Sequence, residues 1–364
     1  MRRIQHLAPA FCVLSLAAVY LGWVFLLAGA DPLVFAFLGT RFRDRDPAGT
    51  EGYDGQFNYY IARDPDPQSV APHLDVPAYR YQRILYPLIA RSLALGNPDV
   101  IPWTLFGINL ACLGAITFLT GELLAQRGGS RWAALAVGLW VGLIGAVRLD
   151  LAEPLALFLV ILALWIAGPS LDRKLIPATL LLALSMLAKE TMIPFIAGWF
   201  AWLIYRRQFR NAALLSSAVL PYAALQIWIG TVFGSPGFGS GGAGSTSFEW
   251  IPFAGLFRIA QASLPALAAM FIVYLPGLLL PAVYGLTVPL VEFIRRQARP
   301  EGFLLFTNAL IIAFAPYSTF REPLGVLRLA CGLIFCMWLY ATARKTASWN
   351  KLGLVGLAYL VFLR

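Results

Sequence analysis

Arg83-Ile84-Leu85-Tyr86-Pro87-Leu88-Ile89-Ala90-Arg91-Ser92-Leu93-Ala94-Leu95-Gly96 is apolar, yet as a helix it reaches only about 21 Å, short of the roughly 30 Å hydrocarbon core of a bilayer. It reads as a juxtamembrane or half-inserted helix. That reading decides the topology, because counting the stretch as a full crossing would reverse the side of every basic cluster that follows it. Before it, residues 7–27 are continuously apolar behind Arg2-Arg3, and after it residues 101–126 form a second run long enough to span. The first run ends in Ala28-Gly29-Ala30, which could pass for a signal-peptidase site. A signal core has about 7 to 15 apolar residues and this run approaches the roughly 20 of a span, so an uncleaved first span with a cytoplasmic N-terminus is expected.

Composition points the same way. With 59% hydrophobic residues, 13% charged residues and a mean hydropathy of +0.72, the chain lies far from a soluble domain. Its formal charge of +10 does not imply a nucleic-acid partner, because the basic residues fall in short clusters between apolar runs, as they do when a membrane protein fixes its orientation. Cys12, Cys112, Cys331 and Cys336 all lie in apolar segments and read as small buried hydrophobes. His6 and His73 are the only histidines, too few for a histidine-based metal site.

Arg127 with Arg131, Arg173-Lys174, Arg206-Arg207 with Arg210, Arg295-Arg296 with Arg299, and Arg344-Lys345 all sit at expected helix ends. Placed on one side with Arg2-Arg3, they obey the positive-inside rule. The chain must then leave and return between consecutive clusters. The expected architecture is an all-α polytopic membrane protein, one transmembrane domain over residues 1–364 with about eleven transmembrane helices, the last (residues 352–363) short. Residues 31–100 form a long first extracytoplasmic loop carrying juxtamembrane helices, and residues 234–250 a flexible Gly/Ser-rich extracytoplasmic loop.

On the far face this arrangement collects the hairpin tips at residues 148–153, Lys189-Glu190 and residues 317–322, together with the one dense polar island, Gly52-Tyr53-Asp54-Gly55-Gln56-Phe57-Asn58-Tyr59-Tyr60-Ile61-Ala62-Arg63. The arms of residues 175–188 and 191–205 are only about 22 Å long as helices, so the Lys189-Glu190 turn should be recessed. Ionised groups at membrane depth cost at least about 2.5 to 3.5 kcal/mol each unless paired or wetted, which predicts a water-filled cavity around these tips. Arg80, Arg83, Arg148, Lys189, Arg321 and Arg328 would surround the carboxylate of Asp54 there. Such cations suit a phosphate or pyrophosphate, with Arg giving bidentate contacts and Lys a compact charge. No Walker lysine motif or dinucleotide fingerprint accompanies them, so a lipid-linked phosphate is the expected substrate.

The polar island, following a first span, resembles the first external loop of GT-C class glycosyltransferases that use polyprenyl-phosphate sugars. Tyr79-Arg80-Tyr81-Gln82-Arg83-Ile84-Leu85-Tyr86-Pro87, Asp150-Leu151-Ala152-Glu153-Pro154 and Ala188-Lys189-Glu190-Thr191 resemble the bacterial branch linked to cell-surface glycopolymers. The resemblance covers the first two thirds of the chain. It implies a GT-C-like bundle in the cytoplasmic (inner) membrane, with the active site outside, transferring sugar from a polyprenyl-phosphate donor to a glycan or lipid acceptor by inverting displacement. Asp54 would be the base, with Lys189, Arg328, Arg80, Arg83 and Arg321 at the donor phosphate. Tyr53, Gln56, Tyr60, Arg148, Asp150, Glu153 and Glu190 remain for the acceptor or for structural pairing. Some members carry paired acidic residues where this chain has Asp54-Gly55, so no metal ligands are assigned and a divalent cation stays open.

Plainer roles compete at each position. Asp54 could cap the helix that follows it. Lys189-Glu190 could be a self-neutralising pair, with Glu190 the structural partner of Lys189. Asp150 and Glu153, three residues apart, could share a helix face and bind a metal or acceptor, or cap the helix that Pro154 opens. Arg80 and Arg83 could bind lipid headgroups, Arg321 could be an interfacial charge, and Arg328, inside an apolar helix, needs a partner. A transporter or flippase for a lipid-linked saccharide would need the same wet, cationic cavity.

Overall fold

In the computed structural model, which describes residues 6–239 and 241–345, the chain is helical, with no strand among the described residues beyond one isolated bridge between Leu38 and Gly52. Arg2-Arg3 and residues 352–363 lie outside the described residues. Among the described residues, four helices are long and apolar enough to cross a membrane: Ala8–Leu27, Ile101–Gln126, Phe209–Phe233 and Leu264–Ile294. Two bent pairs raise the number to six if each is one span, Arg131–Gly138 with Val141–Arg148 at 56° and Pro323–Leu329 with Cys331–Ala343 at 44°. The protein is therefore a membrane-embedded, multi-pass helical protein.

The expected arms of residues 154–168, 175–188 and 191–205 are present as Glu153–Ala167, Leu175–Ala188 and Ile193–Tyr205. At 13 to 15 residues each they reach only about 20 to 22 Å, which is why length alone does not count them as crossings. The stretch that decides the topology forms the nine-residue helix Leu85–Leu93, well short of a span. The arm expected over residues 132–147 is not continuous. It breaks at Leu139-Trp140, where Trp140 is extended and its indole Nε1 donates to the Leu327 carbonyl at 2.7 Å. Gly142 lies two residues on, and a Cβ there would overlap that same carbonyl, so the two bent elements touch backbone to backbone. This contact fixes the start of the turn that carries Arg328.

Glu153–Ala167 packs along Leu175–Ala188 and against Ile101–Gln126, while Pro300–Ala313 packs between Ile193–Tyr205, Leu280–Ile294 and Cys331–Ala343. The core between them is filled by Trp140, Trp199, Phe195, Phe335 and Tyr340. Outward faces stay apolar, as at Phe11, Val19, Trp23, Ile227 and Ile272, the pattern of helices solvated by lipid. The bundle has two polar ends. One carries buried or half-buried ion pairs, Arg127–Glu301 and Arg131–Glu122 at 2.6 Å and Arg344–Glu292 at 3.0 Å, and gathers several of the basic clusters marked in the sequence. The other carries Asp54.

The first loop is not loose. Short helices start on prolines that need no hydrogen-bond partner for a missing N–H, at Pro67 and Pro77, and the Asp66 carboxylate caps the first of them through Ser69 N at 2.9 Å. The polar island becomes the helix Gly55–Arg63, buried along most of its length.

Candidate functional site

Asp54 stands at the N-cap position of Gly55–Arg63, but its side chain makes no cap bond. Its carboxylate turns to cations instead. Oδ1 is 3.0 Å from Arg80 Nη1, and Oδ2 is 3.5 Å from Arg328 Nη1. The Asp54 side chain is 31% exposed, whereas those of Arg80 and Arg328 are only 8% and 9% exposed. A small cleft is lined by Asp54, Asn58, Arg80, Arg83, Leu151, Ala152, Glu153, Lys189 and Arg328.

Burial works to raise the Asp54 carboxyl, but Arg80, Arg328, Arg83 and Lys189 together outweigh it and hold the group well below the usual carboxylate range. Asp75 is likewise pushed up by burial and pulled lower overall by its hydrogen bonds and charge contact with Arg80. The three arginines are also braced by aromatic rings. Arg80 lies 4.1 Å from the Phe57 centroid, Arg83 4.5 Å from Tyr79 and Arg328 5.1 Å from Tyr53.

The pairing differs from the sequence expectation. Lys189 does not neutralise Glu190. Its ammonium donates to Glu153 Oε1 at 2.6 Å, while Glu190 takes Arg83 Nε and Nη2 at 3.0 and 2.6 Å. The cause is backbone direction: Lys189 is extended between Leu175–Ala188 and the following 3₁₀ turn, so neighbouring side chains point to different walls of the cleft. Glu153 opens its helix as expected, yet its carboxylate faces Lys189 and, at 3.5 Å, Arg328.

Asp150 does not share that helix face. It precedes the helix in a left-handed backbone conformation (φ 48°), fully buried, and its carboxylate oxygens make no hydrogen bond among the described residues. Arg148 points away from the cleft, donating to the Val34 carbonyl at 2.8 Å beside the Phe35 ring. Arg321 is exposed over Tyr317 and lines no part of the cleft. Gln56 is structural, accepting from Gly39 N at 3.1 Å and donating to the Glu51 carbonyl at 2.6 Å. Tyr60 packs against Tyr59 and His73, away from the cleft. Tyr53 touches the site through Arg328, whose guanidinium lies over its ring, and its hydroxyl donates to Glu322.

The glycine after Asp54 has a packing reason. A Cβ at Gly55 would overlap the Leu149 carbonyl, so no second acidic side chain fits there. Among the described residues no group of three His, Cys, Asp or Glu side chains converges as metal ligands.

Two residues of the site were not singled out from the sequence. Asn58 lies one turn after Asp54, a spacing that puts both on one helix face, and its amide Nδ2 donates to the Asp150 carbonyl at 2.9 Å. Asp75 sits in a loop and had no periodic signal. It grips Arg80 through Nε and Nη2 at 2.6 and 2.7 Å and also accepts from Ala243 N at 3.1 Å. The Gly/Ser-rich segment is thereby drawn across this wall, held further by Gln226 Oε1 on Gly237 N and Ser318 Oγ on Thr246 N. No family model, curated protein sequence or solved structure matches the chain.

Proposed function

We propose that the protein is a membrane glycosyltransferase that moves a sugar from a polyprenyl phosphate to a glycan or lipid acceptor. One observation supports this reading above the others. Arg80, Arg83, Lys189 and Arg328 meet Asp54 in a single cleft, and Arg328 keeps Nε and Nη1 without a hydrogen bond among the described residues. A cluster of fixed cations suits a phosphate leaving group, and the partly exposed Asp54 carboxylate among them suits a base. The same proposal includes about eleven crossings in a GT-C-like bundle, a cytoplasmic N-terminus in the inner membrane and a site on the outer face.

In this mechanism the acceptor oxygen attacks the anomeric carbon as Asp54 takes the hydroxyl proton. The bond from that carbon to the phosphate oxygen breaks, and its electron pair stays on the polyprenyl phosphate. Phosphate leaves as a stable anion, so no general acid is required. Arg80, Arg83, Lys189 and Arg328 stabilise the charge growing on it, and a cleft mostly closed to water strengthens that effect. These fixed charges are already in place before reaction, which suits a role that a divalent cation fills elsewhere.

Purified protein given a polyprenyl-phosphate sugar and acceptor is expected to release free polyprenyl phosphate, and Asp54→Asn to slow release by about 10²- to 10⁴-fold with donor still bound. Equal turnover by the Asn variant removes Asp54 from the mechanism. The two broken helices, in contact through Gly142 and Leu327, favour a second reading as a transporter of the same class of lipid, since transporters place substrate at interrupted helices. Movement of intact donor across vesicles without cleavage would support that reading instead.

A further inference from the structure

Three of the four cleft cations have a carboxylate of their own. Arg80 gives Nε and Nη2 to Asp75, Arg83 gives Nε and Nη2 to Glu190, and Lys189 gives its ammonium to Glu153. Arg328 has none. Its nearest carboxylate oxygens, on Asp54 and Glu153, are both 3.5 Å from Nη1, and Glu322 nearby is engaged by the Tyr53 hydroxyl. The cluster therefore carries one positive charge more than its dedicated carboxylates, and Asp54 sits in that surplus. Its Oδ1 takes Arg80 Nη1, the one guanidinium nitrogen that Asp75 leaves over.

Resting on the reading that the substrate carries a phosphate, we infer that Asp54 holds the seat the phosphate takes when it binds. Phosphate oxygens displace the Asp54 carboxylate from Arg80 Nη1 and Arg328 Nη1, and that displacement frees the carboxylate to accept the proton of the acceptor hydroxyl. The anchoring is unequal in the direction this requires. Arg80 is fixed by two short bonds to Asp75 and by the Phe57 ring, so it stays when Asp54 departs. Asp54 makes no cap bond, is the most exposed member of the network and can leave by a side-chain rotation. Deprotonation is thus coupled to arrival of the donor, because the base is masked by the same cations that hold the leaving group.

The test is equilibrium binding of inorganic phosphate to the purified full chain in detergent, compared between wild type and two neutral variants, Asp54→Asn and Asp54→Ser. Either variant carries the comparison if the other fails to fold. If Asp54 holds its seat about nine-tenths of the time, the apparent affinity of wild type is reduced about tenfold, so both variants should bind about tenfold more tightly. Glu322→Gln, which removes a nearby negative charge outside the seat, is expected to change affinity by less than about twofold. Phosphate affinity that is unchanged or weaker in the neutral Asp54 variants overturns the displacement and leaves the glycosyltransfer reading standing. An equal gain from Glu322→Gln also overturns it, since general electrostatics would then account for the effect. Absence of phosphate binding in every form overturns both.

Discussion

Replacing Lys189 with Met strands a charge. Glu153 is 4% exposed at its side chain, its Oε1 has the Lys189 ammonium at 2.6 Å, and its Oε2 makes no hydrogen bond among the described residues. Removing one partner of a buried pair costs about 3–5 kcal/mol, because the survivor is left charged in a poorly solvating place. Arg328 Nη1, 3.5 Å from the same oxygen, can close in, which sets the expected loss at the lower end, about 3 kcal/mol. Glu153→Gln in the same chain removes the stranded charge. The double variant should recover at least half of the loss, and because Glu153→Gln alone strands the Lys189 ammonium, the coupling should exceed about 1.5 kcal/mol. Reversible unfolding in mixed micelles, extrapolated linearly for wild type, both single variants and the double variant, measures it. Additivity within about 0.5 kcal/mol would refute the claim that Lys189 serves Glu153.

Acid should weaken the fold through Asp54 and Asp75. Both carboxyls are held below their ordinary range in the folded chain, so their stabilisation is complete above the unfolded value near about 3.9 and is lost as pH falls through and below it. Unfolding midpoints measured from pH 7 down to pH 3 should fall steeply only below about pH 4, and an Asp75→Asn variant should show a shallower drop. Gly55→Ala should lower stability by about 1–3 kcal/mol, since its methyl group meets the Leu149 carbonyl, and should reduce turnover by shifting Asp54. A variant as stable and active as wild type would show that the backbone yields there without consequence.

Much of the helix plan could be read from composition and length. The second span falls on Ile101–Gln126 and the short arm on Leu175–Ala188, because a long uninterrupted apolar run or a Lys-Glu stop is visible locally. The break at Leu139-Trp140 was hidden, since both residues are apolar and the signal lies in a hydrogen bond to Leu327, 187 residues away. The site shows the same division. Asp54, Arg80, Arg83, Lys189, Glu153 and Arg328 are ionisable residues in an apolar chain, and they do converge. Their partners could not be assigned from spacing. Neighbours such as Lys189 and Glu190 face different walls, and Arg148 and Arg321, equally conspicuous in the sequence, point elsewhere. Asp75 carries no signal in the sequence because its place in the site comes from contacts with Arg80 and Ala243.

The bond between Tyr53 and Glu322 joins residues 269 positions apart. At a synthesis rate of about 5–20 residues per second, the ribosome needs roughly 13–54 s to make the second after the first. Through that interval the early acidic and basic side chains must wait for Arg328 while their helices are already being threaded into lipid. Biogenesis of this chain therefore favours an insertion machinery that shelters half-assembled polar surfaces, and a nascent chain arrested before the final helices would expose them to quality-control proteases.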